Sequence, residues 1–351
     1  MKERFQETYI IGEIGQNHNG SVDIAKLIIE AAARPVEEAL FQLQLRGMDA
    51  VKLTKRDLAY ELSASQMSKP YAGRNSFGKT YGEHRAFLEL SDEAHFELYQ
   101  YAKSFGLDFV ETLCAPSCTS LLRHFTPDYL KVASRDLTNL PLLAVMAETG
   151  IPIILSTGMA DQRDLDEALE TVSRYHQQIA ILHCVSEYPT QPHNVNLHTI
   201  TYLLKHYSQY VIGFSDHTIG ISTPVAAVAM GARIIEKHIT LDRRMRGTDQ
   251  AGSLGPDGLN RMVRDLRLLD KSMGQEAIFM SDDVAGSKSK LARSIASKHG
   301  LKKGDLLTEN DIHLLSPGDG LSWSRRSELL GKKLLVDLPA NEIIYPKMLT
   351  E

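Results

Sequence analysis

The stretch Tyr210–His238, YVIGFSDHTIGISTPVAAVAMGARIIEKH, decides the fold. It opens on a short apolar run, Tyr210–Phe214, crosses an amphipathic helical pattern over Thr223–Met230 and returns to a second apolar run, Arg233–Lys237. Strand, helix and strand in that order make a βαβ unit, which places the two strands side by side and parallel. Toward the N-terminus six more runs follow the same rule: Tyr9–Glu13, Ala50–Thr54, Asp108–Thr112, Tyr129–Val132, Ile151–Leu155 and Ile179–His183. Helical patterns such as Val22–Ala33, Asp92–Phe105 and Asp164–Tyr175 separate them. Eight strands in alternation with helices predict an α/β fold of the TIM (β/α)8 barrel type, with an open doubly wound sheet as the alternative.

Two stretches exceed a minimal barrel unit. Arg34–Gly47 lengthens the first helix-to-strand connection; Pro35 is expected to end the helix there, and the insertion to lie on the helical side, away from the site. Asp57–Leu88 is a long βα loop rich in Gly, Ser and Tyr, which reads as a functional lid or a disordered insert. The barrel pattern stops near Gly274. We therefore expect a barrel domain over residues 1–275, a polar linker over 276–290 and a small β-rich domain over 291–351, with turn signals at Lys302–Asp305 and Pro317–Gly320.

With 351 residues, 43% hydrophobic and 24% charged, the chain has the composition of a soluble globular protein. Its 39 Lys and Arg against 44 Asp and Glu give a net charge of −5, without the basic excess of a nucleic-acid binder. No apolar stretch is long enough to cross a bilayer and the first residues lack the apolar core of a secretory signal, so no membrane partner and a cytoplasmic location are expected. Cys114, Cys118 and Cys184 cannot all pair, and the first two have too few companions for a structural zinc site.

In a barrel, function sits at the C-terminal strand ends and the loops that follow. Those ends are polar: Glu13 and His18, Lys52 and Thr54, Thr112, Lys131 and Ser134, Ser156, then His183, Ser186 and Tyr188, Ser215 and His217, and finally His238 with Asp249 beyond it. Two lysines and several hydroxyls around one cavity match an anionic ligand such as a phosphate ester bearing a carboxylate. Two histidines from neighbouring strands, His217 and His238, can hold a divalent metal with positions open to water and substrate. His84, His95, His124, His176 and His206 read as structural or solvated.

The same strand ends carry a resemblance. Ile11-Gly-Glu-Ile-Gly-Gln-Asn-His-Asn-Gly20, Ala50-Val-Lys52, Lys131-Val-Ala-Ser134, Leu155-Ser-Thr-Gly-Met159, Leu182-His-Cys-Val-Ser-Glu-Tyr-Pro189, Gly213-Phe-Ser-Asp-His-Thr218 and Ile235-Glu-Lys-His238 resemble the successive strand signatures of the sialic acid (N-acetylneuraminate) synthase family. The segment after about residue 290 is similar to the antifreeze-like SAF (β-clip) domain of that family. Pro70-Tyr71 and Asn75–His84 resemble the animal-type enzymes, which act on N-acetylmannosamine 6-phosphate. The resemblance implies condensation of phosphoenolpyruvate with the open-chain aldehyde of an N-acylated hexosamine, giving a nine-carbon 2-keto acid and phosphate. It further implies that Lys52, Thr112, Lys131, Ser134, Ser156, Ser186 and Ser215 hold phosphoenolpyruvate. Glu13, Asn75, Tyr188 and Asp249 would face the sugar, with Glu13 leading for proton transfer. His217 and His238 would hold a divalent metal, Mn²⁺ before Mg²⁺ or Co²⁺. The partner it implies is a second copy of the chain in a domain-swapped homodimer.

Departures from the family pattern are Thr54 where Gln is common, Arg135-Asp136 for Gly-Glu, Ser186 for Asn, and Ser316-Pro-Gly318 for the Arg-Pro-Gly of common bacterial enzymes. Without that arginine, sugar recognition is expected to shift toward the barrel and the long Asp57–Leu88 loop, where Arg74, Lys79, His84 and Arg85 are candidates to meet a 6-phosphate. Two other readings compete: a class I pyruvate aldolase using Lys52 or Lys131 as Schiff base, and a catalytically silent sugar-binding relative.

Overall fold

A parallel strand exposes alternate side chains to its two faces, and the apolar runs of this chain bury both. The computed structural model describes residues 2–351, which form two compact units meeting between Gly274 and Gln275. In the first, eight parallel strands close into a barrel: β1 (Tyr9–Glu13), β4 (Ala50–Lys55), β5 (Asp108–Leu113), β6 (Tyr129–Val132), β7 (Ile153–Ser156), β8 (Ile179–Cys184), β9 (Val211–Asp216) and β10 (Ile234–His238), with β1 pairing both β4 and β10. Outward residues such as Ile10, Leu53, Phe109, Ile212 and Ile235 join the core beneath the helices. Inward residues Tyr9, Ile11, Ala50, Val110, Tyr129, Ile154, Ala180, Leu182, Val211 and Ile234 fill the barrel, with Phe5 across its base. Above that filling the inward positions turn polar.

The long helices are α1 (Val22–Ala33), α5 (Asp92–Ser104), α6 (Leu140–Glu148), α7 (Gln162–Ser173), α8 (His198–His206), α9 (Ser222–Ala229) and α10 (Pro256–Ser272); after β5 the crossover is a 3-10 helix, Pro116–Arg123. Ser21, Ser91 and Asp161 cap α1, α5 and α7 through their side chains. The Arg34–Gly47 insertion is a short antiparallel hairpin, β2 (Val36–Glu38) and β3 (Leu43–Leu45), packed against α10. None of its residues lines the principal cavity.

Asp57–Leu88 is mostly ordered into helices: α2 (Leu58–Glu61), α3 (Ala64–Ser68) and α4 (Tyr81–Leu88), the last begun by a Thr80–Glu83 capping box. In the second unit a short helix, α11 (Ala285–Leu291), falls in the stretch expected to be linker. Beyond it β11 (Ser294–Ser297) and β12 (Ile312–Leu315) pair antiparallel, and isolated bridges such as Leu301 to Leu338 and Leu334 to Leu349 close the rest. Its core is Ile295, Leu301, Leu307, Ile312, Leu321, Leu329, Leu334, Leu338, Ile344 and Leu349. Among the described residues no helix is long and apolar enough to cross a membrane.

Candidate active site

Because β-strand side chains alternate, the last inward residues of the eight strands share one cavity of about 520 Å³. They are Glu13, Lys52 with Thr54, Thr112, Lys131, Ser156, Cys184, Ser215, and Glu236 with His238; His217 follows β9 in the same inward phase. Ser134, Ser186, Tyr188 and Asp249 join from the loops.

At the floor four buried charges interlock. Lys52 Nζ lies 2.7 Å from Glu13 Oε2 and 3.8 Å from Glu236 Oε2, and donates to Thr112 Oγ1 at 3.2 Å. Lys131 Nζ donates to Ser156 Oγ at 2.6 Å and to Val132 O at 2.9 Å, and faces Glu236 Oε1 at 4.0 Å. Ser215 Oγ donates to Glu236 at 2.9 Å. Burial drives Glu13 up to about 7, with Glu236 adding to the rise and Lys52 opposing it. For Glu236 burial is overcome by Lys131 and Lys52, which hold it at about 2. Burial draws Lys131 below its ordinary range despite Glu236. An extra dianion or trianion at this floor would meet two ammonium groups and a ring of hydroxyl donors.

One wall carries the histidines. His217 Nδ1 faces the Val185 carbonyl at 2.9 Å, and because a carbonyl only accepts, Nδ1 carries the hydrogen and Nε2 is the nitrogen left for another partner. Burial lowers the ring's pKa, but Cys184 and that carbonyl outweigh it and raise it. The His217 and His238 rings are 5.6 Å apart, and Tyr188 lies over His217 at 4.1 Å. Burial, opposed by Asp249, keeps His238 neutral down to about 4, and its Nδ1 is buried without a hydrogen-bond partner among the described residues. A buried ring nitrogen of that kind calls for a water or a cation. Two imidazoles on one wall fit a metal completed by substrate and water, although among the described residues no three His, Cys, Asp or Glu side chains converge on one point.

Next to that wall, at the ends of β6 to β8, Ser134 Oγ accepts from Gly158 N at 3.0 Å. A Cβ on Gly158 would lie 2.5 Å from Ser186 Oγ, 2.8 Å from Ser134 Oγ and 2.9 Å from Cys184 Sγ, so glycine is what lets three heteroatoms converge there.

Several expectations change. Asn75 is exposed and does not line the cavity, because the segment between α3 and α4 is pinched by the Pro70–Thr80 bridge and the Ser76 bond to Tyr71 O, leaving residues 72–75 outside. Arg74 and Lys79 are exposed and likewise absent from the lining. His183 points outward to Val195 O at 2.7 Å, and His18 lies off the cavity with its Nδ1 accepting from Gly20 N. His84 instead lines it, buried against Tyr71 at 4.7 Å. Glu236, Arg56, Arg135, Tyr71 and Tyr81 are lining residues that motif reading passed over. Glu236 was accessible to the alternation rule, two places before His238 on one strand.

The first unit is thus a closed barrel with a charged, histidine-walled cavity at its strand ends, and a small β-rich unit follows it in the chain. The chain belongs to the NeuB family, whose sequence model matches residues 42–277, and the SAF domain model matches residues 292–350. It is 32% identical over 342 residues to the N-acetylneuraminate-9-phosphate synthase of Homo sapiens, covering 97% of this chain and 92% of that one. It is 34% identical to the N,N'-diacetyllegionaminic acid synthase of Campylobacter jejuni, covering 97% and 99%. Among solved structures, the N-acetylneuraminic acid synthetase of Leptospira borgpetersenii superposes with a TM-score of 0.66 at 28% identity, covering 80% of this chain and 90% of that one. Synthases of this family are enzymes that condense phosphoenolpyruvate with sugars.

Proposed function

We propose that the chain is an EC 2.5.1 transferase of the N-acetylneuraminate synthase type, joining phosphoenolpyruvate to N-acetylmannosamine, its 6-phosphate or a related N-acylated hexose. The observation that carries this reading is the pairing, in one cavity, of a two-lysine floor with a two-histidine wall. Lys52, Thr112, Lys131 and Ser156, with Ser134, Ser186 and Ser215, hold the phosphate and carboxylate of phosphoenolpyruvate. C3 of phosphoenolpyruvate attacks the aldehyde carbon, C2 becomes cationic and takes up water, and the tetrahedral hemiketal phosphate collapses with loss of phosphate. Glu13, raised to about 7 by burial, is placed to pass a proton to the aldehyde oxygen or from the water. A divalent cation on His217 and His238, Mn²⁺ first with Mg²⁺ or Co²⁺ as alternatives, would polarise the aldehyde. Tyr188 and Asp249 face the sugar beside that wall.

Glu13→Gln should lower kcat by about a hundredfold with KM for phosphoenolpyruvate within about threefold, as steady-state assays would reveal. An unchanged kcat removes the proton-transfer role. Gly158→Ala should raise KM for phosphoenolpyruvate about tenfold by driving Ser134 and Ser186 apart, and an unaltered KM would mean that neither hydroxyl is a ligand.

For the far end of the sugar the relevant cation is Arg85, a lining residue with no carboxylate partner in ion-pair contact among the described residues. Its Nε and Nη2 both donate to Tyr81 Oη, at 2.9 and 2.6 Å, which fixes the guanidinium for a phosphate. The deciding experiment is phosphate release with phosphoenolpyruvate, Mn²⁺ and mannosamine derivatives with and without a 6-phosphate. The 6-phosphate should be used at least as well as the free sugar, and Arg85→Ala should narrow the difference. Strong preference for the free sugar, unmoved by that substitution, returns the chain to the ordinary bacterial type.

The lowered pKa of Lys131 favours the rival Schiff-base aldolase, so borohydride with pyruvate belongs in the same assay; trapping would establish that rival. The family resemblance also supports a homodimer in which one chain's SAF domain caps the other's barrel. The exposed run Ile278-Phe279-Met280 suits such an interface. Three buried free cysteines suit a cytoplasmic setting. Sedimentation should return a dimer, and a chain ended at Gln275 should be inactive; a fully active monomeric barrel contradicts the assembly.

A further inference from the structure

Directly behind the histidine wall lies a charge pair that the reaction above does not use. Two successive cross-strand pairs join the ends of β9 and β10, Ser215 with Glu236 inside and Asp216 with Lys237 outside, and the His217 and His238 rings follow inside, 5.6 Å apart. Lys237 Nζ lies 2.5 Å from Asp216 Oδ2 and donates to Thr218 O at 2.5 Å. Asp216 in turn accepts from Thr218 N at 2.9 Å and from Thr218 Oγ1 at 3.1 Å. The two charged side chains are 1% and 0% exposed.

Burying an ion pair this deeply costs desolvation that an apolar pair of the same volume would avoid, so its presence is better explained by geometry than by stability. The geometry is specific. These four bonds all end on the two residues that flank His217, and the ammonium comes from the residue just before His238. One Nζ therefore grips both sides of the first histidine from the strand that carries the second.

We propose that Lys237, with Asp216 and Thr218, is a positioning device that sets the separation of His217 and His238 and hence the affinity of the cation they hold; this rests on the reading of that pair as a cation site. Groups that orient metal ligands without touching the metal change affinity by about 10 to 100-fold when removed.

The test uses the full chain and Mn²⁺ alone, with bound metal read from loss of the free-ion electron paramagnetic resonance signal. Asp216→Asn with Lys237→Met removes both charges together, leaving none buried and unpaired, and should weaken Mn²⁺ binding by about tenfold or more. Metal-free binding of phosphoenolpyruvate, which engages the lysine floor, should change by less than about threefold, a split that general loosening of the barrel would not give. Should the double variant not fold, Thr218→Val keeps both charges and deletes one clamp bond, and should weaken Mn²⁺ by about threefold. Either folded variant binding Mn²⁺ as tightly as the unaltered chain overturns the proposal. Failure of the unaltered chain to bind Mn²⁺ instead overturns the cation reading of the histidines, and the proposal with it.

Discussion

Lys131→Met is expected to cut kcat/KM for phosphoenolpyruvate by about a thousandfold while KM for the sugar stays within about threefold. Its ammonium stands inside the barrel, donates to Ser156 and Val132, and supplies half of the positive charge at the floor. Deletion also strands Glu236. Burial alone would raise that carboxyl, and it rests at about 2 because Lys131 and Lys52 act together. With Lys52 as its remaining cation at 3.8 Å, the variant should lose about 3 kcal/mol of stability, as when one member of a buried pair is removed. The two effects separate in a cycle with Glu236→Gln. Lys131→Met with Glu236→Gln should recover most of the stability in a denaturant melt yet leave phosphoenolpyruvate binding impaired. If the double variant regains both, the lost binding came from a stranded carboxylate and Lys131 is no ligand of the substrate. Equal losses for sugar and phosphoenolpyruvate would defeat the assignment as well.

The barrel was legible because its signal is local: each apolar run is followed within a few residues by its own helix pattern, and the polar end of each run is read from the same residues. Thus Lys52, Thr112, Lys131, Ser156, Ser215 and His238 fall on the cavity by strand phase alone. Glu236 was within reach of the same rule, but a carboxylate between isoleucines and a lysine draws less notice than the histidine two places on. What the sequence hid depends on long-range packing. Asp57–Leu88 carries no run long enough to announce a helix, so the pinch that turns Asn75 out and brings His84 and Arg85 in has no local signature. The Val36–Leu45 hairpin was missed because its two strands have three residues each; the second unit was expected as a β-rich domain from its turn signals, and only the helix α11 before it went unread. Arg135 shows the limit most clearly. Read as a departure at one position, it reaches Glu61 of α2 at 3.2 Å and Cys114 Sγ at 3.0 Å, tying the long loop to two strand ends at the cavity rim.

His238→Ala is expected to lower turnover by at least about a thousandfold and to abolish Mn²⁺ binding in the same preparation. The reasoning starts from scarcity: among the described residues His217 and His238 have no third His, Cys, Asp or Glu to share a cation with. A site with two protein ligands loses its chelate when either goes, so His217→Ala should be as severe and the double variant no worse than either single one. His238 is the cleaner choice, because His217 also packs against Tyr188 at 4.1 Å and its loss would disturb the sugar wall. Stability should fall little, since removing His238 breaks no hydrogen bond at its buried Nδ1. Chelator-treated unaltered enzyme should match the variant, and added Mn²⁺ should restore the former but not the latter. Full activity after chelation would show that the two imidazoles serve the sugar directly and that no cation takes part, and tight Mn²⁺ binding by the alanine variant would show that the cation is held elsewhere.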